Sequence, residues 1–266
     1  MIRLEDLFVV FNPGTLLERV AVRGVNFTAQ DGEVISILGN NGSGRSTLLR
    51  FLAGHIKSSF GKLWLDKTDI TSQTLAERSA FFSGVFYDHD LTTAGNLTVL
   101  ENLAIASIHH QERSLIEPAI PDGLREALIK QLRDLNFMEM EDLVDEKAVN
   151  ISKTYRQVLG LMIAVIKGAQ VLLIDEHSTG LDKESSRALL ATTEKIIRSK
   201  KITTIMVVSD PKFAIEASDR IIVLNGGQVA LNLGGEEKKN IKLEDLFASF
   251  NIPPQVKDIK LPVPQN

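Results

Sequence analysis

The 266-residue sequence contains no cysteine, which excludes disulfide bridges and cysteine-ligated metal centres. It also lacks a long apolar run. The densest, VLGLMIAVI at Val158–Ile166, is about half of the roughly 20 residues that a membrane-spanning helix needs. Positive charge is not in excess either: 30 Lys and Arg face 34 Asp and Glu, a formal net charge of −4. That balance gives no sign of a surface for nucleic acid or anionic lipid, so no nucleic-acid partner is expected. The first residues, MIRLEDLFVV, carry two acids and lack the apolar core of a signal peptide. No internal repeat is visible. These absences lead us to expect a cytoplasmic protein that meets a membrane only through a partner.

What remains is ordinary for a soluble α/β protein: 44% hydrophobic and 24% charged residues, enough for one large domain or a core with a smaller subdomain. LFVVFN (7–12) and the two apolar runs on either side of AQDGE read as strands, the second of them ending in VISIL (34–38). VISIL and VLLID (171–175) are continuous apolar runs suited to burial on both faces of a central sheet. STLLRFLAG has apolar residues at helical spacing, with Gly54 as its stop. From about Leu97 to Ile166 the pattern is mostly helical. KESSRALLATTEKIIRSK reads as a helix, ITTIMVVS as a strand, and RIIVLNGGQVAL as a hairpin turning at Asn225-Gly226-Gly227. Of the 8 prolines, 4 fall in PPQVKDIKLPVPQN, which predicts an extended tail.

Two stretches carry chemistry. In GNNGSGRST, spanning Gly39, Asn40, Asn41, Gly42, Ser43, Gly44, Arg45, Ser46 and Thr47, a strand leads through glycines into a helix. Backbone N–H groups of Asn41–Ser46 can curl around a phosphate there, and the helix N-terminus adds its partial positive charge. Ser46 offers a hydroxyl to Mg²⁺ and Thr47 a second hydroxyl. Such loops read G-x-x-x-x-G-K-[ST], and Arg45 holds the lysine position. A planar guanidinium replaces a compact ammonium. Arg45 therefore either binds phosphate with altered geometry or turns outward to a surface acid. The second stretch is VLLIDEHSTGLD: Asp175 ends a buried strand, where it can hold Mg²⁺ through water, and Glu176 can poise an attacking water.

Together these residues resemble the ATP-binding subunit of an ABC transporter, over about Ile2 to Phe250. GNNGSGRST is similar to its Walker A loop, VLLIDE to its Walker B strand with the catalytic glutamate, STGLD to its D-loop, and LTVLENL (97–103) to the helix start after its Q-loop. Phe11 matches the aromatic residue that stacks on adenine. FNPGT and DEHSTGLD look like a bacterial importer branch linked with aromatic amino-acid uptake. The resemblance implies an α/β fold: a P-loop NTPase (RecA-like) core, an N-terminal antiparallel β subdomain, and a helical subdomain inserted at roughly 92–165. It implies a single ATP-binding domain over 1–250, followed by a tail over 251–266. It also implies ATP and Mg²⁺ as ligands, a second ABC ATP-binding subunit and a transmembrane permease as partners, and a peripheral place on the inner face of the cell membrane.

Several positions depart from that family. Tyr87 stands at the Q-loop glutamine, Ile151-Ser152-Lys153-Thr154-Tyr155 at the L-S-G-G-Q signature, and Ser209 at the switch histidine. Only Ser152 of the phosphate-facing signature is kept. Each departure also has a structural reading: Tyr87 as a buried aromatic, Ser152 as a helix N-cap, Ser209 as loop filler. If family sites are shared across two subunits, the departures imply the degenerate half of a heterodimer. In such a pair, most turnover falls at the partner's catalytic residues. The alternative is a non-hydrolysing structural or regulatory subunit that uses the ABC fold as an interaction module.

Overall fold

The computed structural model describes residues 1–86, 92–107, 120, 122–134, 138–176, 178 and 180–251. Chain order runs β1 (Ile2–Phe11), β2 (Arg19–Ala29), β3 (Val34–Leu38), α1 (Arg45–Ala53), β4 (Phe60–Leu65), β5 (Thr68–Asp69), α2 (Leu75–Arg78) and β6 (Phe82–Val85). Four helices follow: α3 (Val99–Ser107), α4 (Leu124–Asp134), α5 (Met138–Glu141) and α6 (Lys153–Ile166). The chain continues as β7 (Val171–Asp175), α7 (Lys183–Lys200), β8 (Thr203–Val207), α8 (Pro211–Ala217), β9 (Arg220–Asn225), β10 (Gln228–Gly234), α9 (Gly235–Asn240) and α10 (Leu243–Ser249).

Two sheets form. An antiparallel sheet has the order β2-β1-β4-β5, and a larger one the order β10-β9-β3-β8-β7-β6. Within the larger sheet β9, β3, β8, β7 and β6 pair in parallel, and β10 closes the edge antiparallel to β9. Burial on both sides explains the apolar runs. Along β3, Val34 and Leu38 join a core shared with α3, α6 and α7, whereas Ile35 and Ile37 face a second core. β7 divides in the same way, Leu172 and Ile174 on one side, Val171 and Leu173 on the other. β3 and β7 thus carry apolar residues on both faces, interrupted within β3 only by the buried Ser36, because neither face meets water.

The helix that matters most to function, α1, lies between the two sheets. Leu48, Leu49, Phe51 and Leu52 are fully buried in the second core with Val22, Val25 and Leu63. At roughly 1.5–3 kcal/mol per buried large side chain, these four fix the helix firmly. Gly54, at φ 88°, ends it in the left-handed region, as its place in the sequence predicts. The far end is clamped by Arg78, only 1% exposed. Its guanidinium donates to the carbonyl oxygens of Phe51, Leu52 (3.2 Å), Ile70 (3.1 Å) and Thr71 (2.8 Å) and lies 5.0 Å from the Phe51 ring. Burial lowers its pKa to about 10, so it remains a cation at neutral pH and neutralises the negative end of the α1 dipole.

The strand expected from Leu7 begins instead at Ile2. Asp6 takes φ 43° and the β1–β2 register shifts between Leu4 and Leu7, so a bulge breaks the alternation that would have announced the first half. The hairpin at Asn225–Gly227 forms as expected, with φ 53° and 81° at its two glycines. The expected tail lies outside the described residues from position 252, and so does Tyr87.

Candidate functional site

Between β3 and α1 the chain makes a tight loop whose glycines are demanded by space as well as by torsion. Gly39, Gly42 and Gly44 have φ 147°, 79° and 99°. A Cβ on Gly39 would run into the Leu224 carbonyl oxygen, and one on Gly44 into that of Ala21. Gly44 is the left-handed N-cap of α1, with no side-chain hydrogen bond to the helix N–H groups and no acid in the first turn. Those donors have no side-chain cap, and the helix dipole adds positive potential, so an anion could be held there. The β9–β10 turn braces the loop from behind: Gly227 N–H donates to the Ser43 carbonyl oxygen at 3.0 Å, and the Gly227 carbonyl accepts from Arg23 N–H at 2.8 Å. No sequence pattern marks Ala21, Leu224 and Gly227 as the seat of the loop. Their contribution is backbone, which leaves no side-chain signature.

Ser43 is 4% exposed, and its hydroxyl oxygen has no hydrogen-bond partner among the described residues. An orphaned buried hydroxyl costs about 1–3 kcal/mol, so its presence in a phosphate-type loop fits a ligand that completes it. Ser46 Oγ donates to Asp175 Oδ1 at 3.0 Å. These are hard oxygen donors of the kind Mg²⁺ takes. Burial pushes the Asp175 carboxyl above its ordinary value, and the Glu176 charge adds to that. The Ser46 hydrogen bond and the charges of Arg50 and Arg45 pull the other way. Thr47 is half-buried beside them, and Asn41 is exposed on the rim of a cavity of about 320 Å³. Asn40 donates through its side chain to the Phe250 carbonyl at 3.2 Å, which ties the end of α10 to the loop.

Arg45 does not swing outward: it lines the cavity beside the glycine loop. It is 9% exposed, and its Nη1 lies 3.1 Å from Glu176 Oε1. The same Oε1 accepts from Ser209 Oγ at 3.1 Å. Ser209 is therefore more than loop filler, and the reading of Arg45 as paired to a surface acid is corrected: its acid is the candidate catalytic one. Glu176 is also strained, at φ 46°, a region that costs a residue with a side chain on the order of 1 kcal/mol or more. Its N–H is held by the Val207 carbonyl at 3.1 Å, so β8 imposes the geometry.

Ser152 takes no part in this cluster. It is the N-cap of α6, and its hydroxyl accepts from Tyr155 N–H at 3.3 Å. The neighbouring Lys153 ammonium lies against Gly180, where a Cβ would collide with it. Phe11 ends β1 and is 40% exposed, opposite Arg19 in the β1–β2 register.

Residues 22–179 match the ABC transporter family, more than half of the chain. The chain belongs to the ABC transporter family of ATP-binding subunits. It is 34% identical over 261 residues to the tyrosine transport ATP-binding protein of Clostridioides difficile (strain R20291), covering 94% of this chain and 98% of that one. It is 29% identical to the energy-coupling factor transporter ATP-binding protein EcfA1 of Oenococcus oeni (strain ATCC BAA-331 / PSU-1), over 91% of this chain and 80% of the relative. The ATP-binding cassette MJ1267 of an ABC transporter superimposes with a TM-score of 0.77 at 25% identity, across 95% of this chain and 98% of that structure. The architecture is thus that of a P-loop NTPase with an antiparallel β subdomain, as the ABC resemblance implied. No helix among the described residues is long and apolar enough to cross a membrane.

Proposed function

We propose that this chain is the nucleotide-binding subunit of a bacterial ABC importer and the degenerate half of a heterodimeric ATPase pair, peripheral on the inner face of the cell membrane. The observation that carries the reading is the Arg45–Glu176–Ser209 cluster. In the loop, the Ser43 hydroxyl and the N–H groups at the start of α1 would hold the phosphates of ATP. Phe11 would lie on the adenine. Ser46 and Asp175 would hold Mg²⁺, which neutralises phosphate charge when bound. A water-poising carboxylate needs an oxygen free to accept a proton. Glu176 Oε1 is already shared by a guanidinium and a hydroxyl. Arg45 thereby does two things at once: it leaves the phosphates and it engages one oxygen of the base. The site favours holding ATP over cleaving it.

Turnover is then expected at the partner's catalytic residues, against which this chain presents Ser152 and Lys153 in place of an intact signature. A groove of about 410 Å³, lined by Ala53, Leu75, Phe82, Phe86 and Ile163, supports docking of a permease segment. The similarity to the tyrosine transport protein supports an aromatic amino acid as the transported solute. The second reading, a non-hydrolysing structural or regulatory subunit, is favoured by the same ion pair and differs in needing no nucleotide. Co-expression with the neighbouring transporter genes tests both. The heterodimer predicts copurification with a second ATPase and a membrane subunit, and ATP binding by the isolated chain. Copurification with neither removes the heterodimer, and absence of ATP binding favours the second reading.

A further inference from the structure

The loop has lost the cation expected to reach the phosphates, because Arg45 is turned to Glu176. A second guanidinium stands on its other side. Arg19 opens β2 directly across from Phe11, the last residue of β1. Its Nη2 lies 3.6 Å from where a Cβ on Gly42 would sit, so the guanidinium rests against the glycine loop itself. Arg19 is exposed, and among the described residues no hydrogen bond or ion pair engages it. The adjacent acid, Glu18, does not answer it: its carboxylate accepts from Gly14 N–H at 2.6 Å in the hairpin tip. Nor does the first turn of α1 carry an acid. A side chain with five donors and no acceptor thus sits uncommitted at the rim of a phosphate-type loop, across from Phe11, the candidate ring for stacking on adenine.

We propose that Arg19 supplies the phosphate-facing cation of this loop, in place of the lysine that the sequence lacks. The ligand class is the phosphate chain of a nucleoside di- or triphosphate, so the proposal rests on the ATP-binding reading above. The position has a physical logic. A cation delivered from β2 approaches the loop from outside the strand-to-helix turn, where a planar fork has room. At position 45 the fork would have to fit inside the turn. Base and phosphates are then gripped by two residues directly opposite on one hairpin, Phe11 and Arg19, so nucleotide would stiffen the β1–β2 tip.

The test is equilibrium binding of ATP, ADP and adenosine to the full chain by titration calorimetry, for wild type, Arg19→Gln, Arg19→Lys and Arg45→Gln. Losing a charge-assisted contact to phosphate is expected to weaken ATP and ADP about tenfold in Arg19→Gln, with adenosine unchanged. Arg19→Lys keeps most of the affinity, and Arg45→Gln loses less than Arg19→Gln. Wild-type affinity falls with added salt more steeply than that of Arg19→Gln. Thermal melting without nucleotide should be nearly the same for Arg19→Gln and wild type, since Arg19 is exposed and its side chain makes no hydrogen bond or ion pair among the described residues. If wild type binds ATP and Arg19→Gln binds it equally well, Arg19 has no such role and the ATP reading stands. If wild type binds no nucleotide, the ATP reading falls and this proposal with it.

Discussion

Replacing Arg45 by Met and Glu176 by Gln, singly and together, measures whether the cation and the carboxylate hold each other in solution. At 3.1 Å and an effective dielectric near 20, the attraction is about 5 kcal/mol before solvation is considered. Most of that is offset, because Arg45 is 9% exposed and has surrendered its hydration. Glu176 keeps 26% of its side chain in contact with solvent and retains Ser209, so loss of Arg45 does not strand it. The coupling energy from the double-mutant cycle is therefore expected at about 1–3 kcal/mol, the range for neighbouring residues in one polar network. Urea denaturation of the four proteins gives the numbers, and the fluorescence of Trp64, the only tryptophan, gives the signal. Additive effects, with a coupling below about 0.5 kcal/mol, would show that the pair is not made. The account of a sequestered Glu176 would then fail.

Three further outcomes follow from the same geometry. Ser43→Ala removes an orphaned buried hydroxyl, so folding stability should hold or rise by up to about 1 kcal/mol while ATP affinity falls; calorimetry and urea melts separate the two. Mg²⁺ should strengthen ATP binding at neutral pH and lose that effect as pH falls through the Asp175 value, which burial raises above the ordinary carboxylate range, because the carboxyl binds metal only when ionised. The sign for folding is opposite: the native state holds that proton more tightly than the unfolded chain. This contribution is therefore full below the unfolded value of 3.8 and is lost as pH rises through the raised one. Arg78→Met leaves the carbonyls of Phe51 and Leu52 in α1, and of Ile70 and Thr71 beside it, without their donor and should cost about 3 kcal/mol in urea denaturation, with weaker ATP binding because the loop rides on that helix.

The phosphate loop and VLLID were legible because each is a local pattern: glycines at fixed offsets, and buried strands without polar relief. β4, β5, α2 and β6, across residues 60–85, gave no comparable signal. Their elements run from 2 to 6 residues, and FGKLWL mixes a lysine and a tryptophan into a half-buried face. α8, α9 and α10, of 6 or 7 residues, are short as well and lean on neighbours for stability. The Asn12 turn and the β1 bulge depend on positive φ at residues other than glycine, which composition does not announce. In the site, the identities of Arg45, Glu176 and Ser209 were visible, but their convergence was not. They come from α1, the end of β7 and the loop after β8, and only the parallel order β3-β8-β7 brings them together. Arg78 was invisible for a related reason. A buried arginine is unexpected until the carbonyls it serves are placed around it.

The most direct test of the central claim is the ATPase rate of the assembled transporter with Glu176→Gln in this chain, compared with the corresponding Glu→Gln in the partner subunit. A general base contributes roughly 10²–10⁴-fold to such a reaction. If this chain holds ATP without cleaving it, Glu176→Gln leaves turnover within about twofold of wild type, and the partner's substitution removes at least about 10²-fold. A loss of about 10²-fold from Glu176→Gln would contradict the account and place active chemistry at this chain's own loop.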